Sequence, residues 1–275
     1  MTMPARRIFF VLIVCGAVLP ACQSVQTTQP GVVGVARKQS MSTMVSPQAI
    51  DQSAGQSYSA ELSRARTAGT LNRDPPQVVR VRKIAARLID QTGYFRPDAK
   101  SWAWSINVET SKEINAYCMP GGRIMVYTGL IDRLNLTDAE LATVMAHEIS
   151  HALREHSREQ VSRMMNEQIG LTALAGLAGL NDASMQLASL LGDVTFNLPH
   201  SRVQESEADE LGLELMARAG YDPNAAISLW KKMAALGQGN NSSFMSTHPS
   251  SATRTADLEA LLPKVMPLYQ AASKP

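Results

Sequence analysis

Apolar residues recur at helical spacing through most of the chain. Val78, Val81, Ile84, Ala85, Leu88 and Ile89 make one stripe, which follows Asp74-Pro75-Pro76 and stops near Gly93. An Asp cap with proline in the first turn is a helix-start signal. A longer pattern covers 137–165, where Leu141, Val144, Met145, Ile149, Ala152 and Leu153 form the apolar face. It predicts one continuous helix, capped by Thr137 or Asp138, with Glu140 near the positive end of its dipole. The last part, 154–165, is polar enough to read as a solvated end. Between these helices, 102–108, 113–119 and 123–128 have strand composition, and Pro120-Gly121-Gly122 reads as a turn. They predict a small antiparallel sheet just before the long helix. Downstream, 169–180 and 185–198 are apolar helical segments separated by Asn181-Asp182. Each is too short for a comfortable bilayer span, so a buried or membrane-touching helical hairpin is expected. Further helices are predicted from Ser201-Arg202 to about Ala219 and over 223–236, before a loop at 237–241. The fold class is α+β, mainly helical.

The first 72 residues follow a different pattern. Arg6 and Arg7 precede an apolar stretch at 8–19, a targeting arrangement too short to span a bilayer. Leu19-Pro20-Ala21-Cys22 resembles the lipobox of bacterial lipoprotein signal peptides, which implies cleavage before Cys22 and lipidation of Cys22. An ordinary secretory signal cut near Ala21 is the alternative. Residues 22–72 are rich in Gln, Ser, Thr, Ala and Gly, and are expected to be a flexible tether with weak helix near 49–68. The folded domain is then 73–275.

Charge and cysteine content narrow the field. The formal net charge is +2, but Arg6 and Arg7 supply it, so the chain beyond residue 21 has 26 − 2 = 24 basic and 24 acidic side chains. No nucleic-acid partner is implied. Beyond Cys15 and Cys22 only Cys118 remains, and one thiol makes no internal disulfide. Between Tyr117 and Met119, it reads as a small buried hydrophobe.

The chemistry concentrates in His147-Glu148-Ile149-Ser150-His151. On a helix, residues four apart share a face, so both imidazoles can reach one zinc ion at about 2.0–2.1 Å. Glu148, next to the first ligand, is placed to act as general base on a metal-activated water. Two histidines and a glutamate can equally be an ordinary helix face, and the motif alone does not decide. His156 lies five positions past His151 and is expected to be structural or surface.

A second set of residues makes the pattern specific. Asn115-Ala116, Pro120-Gly121-Gly122, 126–130 and the His147–His151 motif together resemble the M48 family of zinc metallopeptidases. Ser201-Arg202, Glu205 and Ala208-Asp209 resemble the family's ExxxD element, and Ser246-Thr247-His248-Pro249 with Arg254 resembles another family segment. The resemblance covers roughly 75–262 and implies a gluzincin-like domain holding one Zn2+. It implies Glu205 as third ligand, and Asp209 as a group that orients a ligand histidine or assists proton transfer. His248 is implied as a removable fourth ligand or transition-state binder, and Arg254 as support for the site. A sheet edge carrying Asn115, Ala116, Gly121 and Gly122 is implied to pair with extended substrate, which suits main-chain recognition. Glu207 is expected to point away into solvent. The chain ends soon after Tyr269, so the C-terminal repeat domain of some relatives is not expected.

The resulting expectation is a zinc metalloendopeptidase with Glu148 as general base. Location and family likeness imply misfolded or misassembled envelope polypeptides as substrates. In a Gram-negative cell, Gln23 after the lipobox implies an outer-membrane lipoprotein facing the periplasm. The alternative is a latent, chaperone-like or scaffold lipoprotein with a capped or structural zinc site.

Overall fold

The structure, a computed structural model, describes residues 22–175, 183–236, 243–249 and 253–275. Strands β1 (Cys22–Val25) and β2 (Gln39–Ser42) form an antiparallel pair, and α1 (Pro47–Thr67) follows. Ser46 caps α1 by accepting from the Ala49 N–H at 3.1 Å, and Asp74 caps α2 (Pro75–Phe95) by accepting from Gln77 N–H at 3.2 Å. A 3-10 turn at Pro97–Ser101 leads into β3 (Ser105–Glu109), β4 (Ala116–Met119) and β5 (Arg123–Tyr127). The rest is helical: α3 (Thr128–Arg133), α4 (Asp138–Leu153), α5 (His156–Ala175), α6 (Ala183–Phe196), α7 (Arg202–Arg218), α8 (Asn224–Ala235), α9 (Ser243–Thr247) and α10 (Arg254–Ala271). The mainly helical α+β class is as expected. Among the described residues, no helix is long and apolar enough to cross a membrane. The expected signal segment and the break at Asn181-Asp182 lie outside the described residues, as does the loop at 237–241.

The three-stranded sheet is mixed, where an antiparallel one was expected. Its order is β3-β5-β4, with β3 parallel and β4 antiparallel to β5. The Pro120-Gly121-Gly122 turn forces β4 and β5 antiparallel, and φ of 78° and 83° at the two glycines suits residues without a Cβ. The segment after β3 passes β5, so β5 becomes the central strand. Alternation then divides the side chains. Ala116, Cys118, Ile124 and Val126 enter the main core with α2, α4, α7 and α8. Tyr117, Met119, Met125 and Tyr127 enter a second core lined by Ile50, Ala54 and Tyr58 of α1, Val161 of α5, and Leu191 and Val194 of α6. Both faces of β4 are covered, and all four of its residues are buried.

Two further expectations are corrected. The helix predicted over 137–165 breaks after Leu153, because Glu155 adopts φ 51° and turns the chain back. Glu155 is fixed there by Arg96 at 2.7 Å and Arg158 at 2.8 Å. The supposedly solvated continuation is therefore internal, and Arg154, His156, Arg158, Gln160 and Ser162 are all buried.

Residues 22–72 are packed on the domain and do not form a loose tether. Val33, Val35, Met41, Val45, Ile50, Ala54, Tyr58 and Ala65 are buried. Their apolar content is sparse, but long-range polar contacts anchor the segment. Gln29 N–H donates to Phe95 O at 2.8 Å, Val33 N–H to Glu214 at 3.1 Å, and Gln39 to the Arg154 carbonyl. In α1, Tyr58 donates its hydroxyl to Ile124 O at 2.5 Å and accepts from Asn107 at 3.0 Å. Truncating a buried aromatic side chain costs about 3–5 kcal/mol. Tyr58→Ala should lower unfolding free energy by that order in denaturant melts; a tether would give no measurable change.

Candidate metal centre

Helix α4 is set in place by a capping box, with Glu140 N–H donating to Thr137 Oγ1 and Thr137 N–H to Glu140 Oε2 at 2.9 Å. Every residue from Glu140 to Leu153 is buried. His147, Glu148 and His151 thus have no solvated face and must be satisfied by the protein or by a ligand. Helix α7 starts with the same device, Ser201 with Gln204, and places Glu205 and Asp209 one turn apart facing α4. Gly212 permits the close crossing of the two helices. A Cβ there would stand 3.0 Å from the His147 backbone nitrogen.

The donor atoms of His147, His151, Glu205 and His248 lie within 4.8 Å of one another, all on buried residues. His147 Nε2 is 3.0 Å from His151 Nε2 and 3.6 Å from Glu205 Oε2. Glu205 Oε1 is 3.3 Å from His151 Nε2 and 3.0 Å from His248 Nδ1, which is itself 3.2 Å from His147 Nε2. A tetrahedron of donors about 2.0–2.1 Å from zinc has edges of about 3.3–3.4 Å. The observed spacings bracket that value, and three imidazoles with one carboxylate are suitable zinc donors. The group fits a zinc ion.

Surrounding residues fix the orientation of these side chains. His147 Nδ1 faces Asp209 Oδ1 at 3.0 Å, so the N–H lies there and Nε2 is free for a metal. Arg254 bonds Asp209 through Nε and through Nη2 at 2.8 Å, and its Nη2 is 3.1 Å from Glu205 Oε2. Its guanidinium sits 3.5 Å from the centre of the Trp230 ring. His248 stacks on Phe244 at 4.5 Å and presents Nε2 at 3.3 Å from Glu148 Oε1.

Burial pushes the Glu148 carboxyl up to about 7, with Glu205 adding to the rise and His248 opposing it. Burial also pushes the imidazoles of His147 and His151 down, keeping them neutral as metal ligands must be. Glu205 is buried, but His248, His151 and His147 hold it well below the usual carboxylate range. Asp209 is likewise held low against burial, by Arg254 and then His147. His248 is raised despite burial, by the charges of Glu148 and Glu205.

The structure therefore brings together His147, Glu148, His151, Glu205, Asp209, His248 and Arg254. Asn115 and Ala116 lie at the start of the edge strand β4. Ile114 O, just before them, accepts from Phe244 N–H at 3.1 Å, which ties the His248 segment to that edge. Gly121 and Gly122 sit at the hairpin tip against Asp51, Arg123 and Trp104. Cys22 lies apart and is exposed.

Several neighbours were not anticipated. Glu207 is buried and bonds Arg37, Arg154 and His156, contrary to a solvated position. His156 is fully buried against His151. His200, not singled out from the sequence, stacks on His151 with ring centres 4.1 Å apart. All five histidines of the chain thus gather at one centre, although three were expected there. The only sequence signal was their number: so few, all beyond residue 146.

With this geometry established, comparison with known proteins is informative. The profile of peptidase family M48 matches residues 75–262, and the chain belongs to that family. Zinc is the metal of M48 metalloproteases, in keeping with the donor set. The chain is 37% identical over 191 residues to the mitochondrial metalloendopeptidase OMA1 of Schizosaccharomyces pombe, covering 69% of this chain and 54% of that protein. It is 32% identical over 148 residues to metalloprotease LoiP of Escherichia coli, and 30% over 150 residues to metalloprotease YcaL of the same organism. Each match covers 54% of this chain and 58% of the relative. The chain thus spans little more than half the length of these three proteins.

The electrostatics also set an acid limit. Burial opposes ionisation of Glu207, but His156, Arg37 and Arg154 hold its carboxyl down at about 2 against an ordinary 4.5. The depressed folded value favours the ionised form, so this stabilisation is complete above about pH 4.5 and fades as pH falls toward 2. Glu207→Gln should flatten that part of the Tm-against-pH profile relative to the parent; parallel profiles would remove Glu207 from the account.

Proposed function

We propose that this chain is a zinc-dependent metalloendopeptidase that cleaves internal peptide bonds with Glu148 as general base. One observation carries the reading: a buried set of three imidazoles and a carboxylate adjoins a buried carboxyl held near neutrality. A structural site has no use for the second feature. His147, His151 and Glu205 hold the metal. Bound there, zinc supplies a Lewis acid that polarises the scissile carbonyl and lowers the pKa of water. Glu148, raised to about 7, takes a proton from the attacking water and delivers it to the leaving amine. Asp209 fixes the His147 tautomer, and Arg254 holds Asp209 in turn. The outer edge of β4 beside Asn115 and Ala116 is where extended substrate would be gripped through main-chain bonds, once the Asn115 side chain gives up the Ala116 N–H.

His248 adds a second state to this reading. It takes the fourth vertex, where a catalytic site needs room for water, and its other nitrogen faces the general base. The arrangement described is the closed, latent form, and activity requires His248 to withdraw. A purely structural four-ligand zinc is the competing reading, favoured by the same four donors.

Exposed Cys22, at the start of β1, is accessible for lipidation, and the lipobox-like 19–22 followed by Gln23 is what supports an outer-membrane location facing the periplasm. Unfolded or misassembled envelope polypeptides are the substrates that this location offers. The relatives LoiP and YcaL are metalloproteases of the bacterium Escherichia coli, which agrees with a bacterial source.

Purified protein should contain about one zinc per chain and cleave an unfolded substrate such as casein. Glu148→Gln should keep the zinc and lose about 10²–10⁴-fold in rate, the usual contribution of a general base. Unchanged cleavage would exclude Glu148 from that role. His248→Ala should raise the rate of the parent by opening the fourth position. Full zinc with no cleavage by either the parent or His248→Ala would leave the structural-zinc reading standing.

A further inference from the structure

His151 is the expected ligand whose second nitrogen is not met by a carboxylate. Its Nε2 faces the metal position, 3.0 Å from His147 Nε2 and 3.3 Å from Glu205 Oε1. Its Nδ1 is 2.8 Å from His156 Nδ1, and His156 Nε2 is 3.0 Å from Glu207 Oε2. If Nε2 of His151 binds metal, its proton must lie on Nδ1. His156 Nδ1 must then accept, which puts the His156 proton on Nε2, pointing at Glu207. Only this arrangement satisfies every nitrogen along the line.

Glu207 in turn is held from two directions. Arg154, with a side chain wholly removed from solvent, donates to Oε2 at 3.0 Å. Arg37 donates through Nε to Oε1 at 2.6 Å and through Nη2 to Oε2 at 3.0 Å. It also makes a paired contact with Glu159, at 2.6 and 2.9 Å. Arg154 Nη2 donates to the Arg37 carbonyl at 2.8 Å, and its Nη1 to Thr28 Oγ1 at 3.2 Å. Thr28 and Arg37 belong to the segment joining β1 to β2, outside the part of the chain that matches the family.

We propose that His156 and Glu207 form a relay that orients His151 and increases its basicity toward the metal, and that Arg37 locks this relay in place. His156, Glu207 and Arg37 are positioning residues, and the N-terminal segment is a working part of the metal centre. The inference rests on the reading of His151 as a zinc ligand. Groups that hydrogen-bond a ligand histidine typically govern metal affinity by about 10–100-fold.

The experiment is zinc affinity by chelator competition, with the visible spectrum of the cobalt(II)-substituted protein recorded beside it. Both are independent of cleavage. His156→Ala should weaken zinc binding about 10–100-fold and shift the cobalt bands. His156→Asn keeps an acceptor for His151 but loses the link to Glu207, and should fall between parent and His156→Ala. Arg37→Gln, altering a side chain that is 34% exposed, tests the lock without emptying the core. It should weaken zinc binding by a smaller factor and alter the cobalt bands in the same sense. Should His156→Ala fail to fold, His156→Asn and Arg37→Gln carry the test. Zinc affinities within twofold of the parent, with unmoved cobalt spectra in the folded variants, would overturn the relay even if thermal stability fell. A parent that binds no zinc would instead overturn the metalloendopeptidase reading beneath it.

Discussion

The crossing of α4 over α7 is the constraint on which the rest of the centre depends. With no side chain at Gly212, the backbones come close enough for Glu205 to meet His147 and His151 directly. The same proximity removes water from every polar group between the helices. A carboxylate so enclosed is tolerable only when cations or hydrogen bonds surround it. Arg254 supplies one cation, delivered from the start of α10 and held over Trp230. Arg154 and Arg37 supply the others, around Glu207. The pattern of buried arginines is thus a consequence of helix spacing.

The closed arrangement of His248 has an energetic logic of its own. Its Nδ1 pairs with Glu205 Oε1 and its Nε2 lies 3.3 Å from Glu148 Oε1, so withdrawing it takes a partner from two buried carboxyl groups. Each such group costs about 1–3 kcal/mol. Opening is favourable only when something polar takes its place, and an incoming peptide main chain has the necessary carbonyls and amides. Because the segment carrying His248 is bonded to Ile114 O beside β4, the proposed reading links substrate pairing at that edge to release of His248.

Most of the centre was readable because its residues obey local spacing. His147 with His151, and Glu205 with Asp209, are each one helical turn apart, and both helices announce themselves by capping residues. Strand pairing was less readable: β3 to β5 depends on where the intervening chain crosses, which no local pattern encodes. The supporting shell was least readable. Glu207 looks like one of many solvated acids in a charged helix, and Arg37 lies 170 residues before it. The direction of His156 depends on the positive φ of Glu155, a residue that ordinarily would not mark a turn. The N-terminal segment reads as a tether because its few apolar side chains are widely spaced. Its attachment comes from individual polar bonds to distant partners, and composition does not reveal those.

The span of the chain that meets at this centre bears on how the protein is made. Contacts run from Thr28 and Arg37 near one end to His248 and Arg254 near the other. Such pairings between distant segments form late in folding, after the local helices and hairpin are in place. During synthesis the first of these residues emerge long before their partners, and they wait until almost the whole chain is present. A shortened or half-translated chain lacks the residues that complete and align the donor set. On the proposed reading, cutting waits until the residues around Thr28 and Arg254 have met.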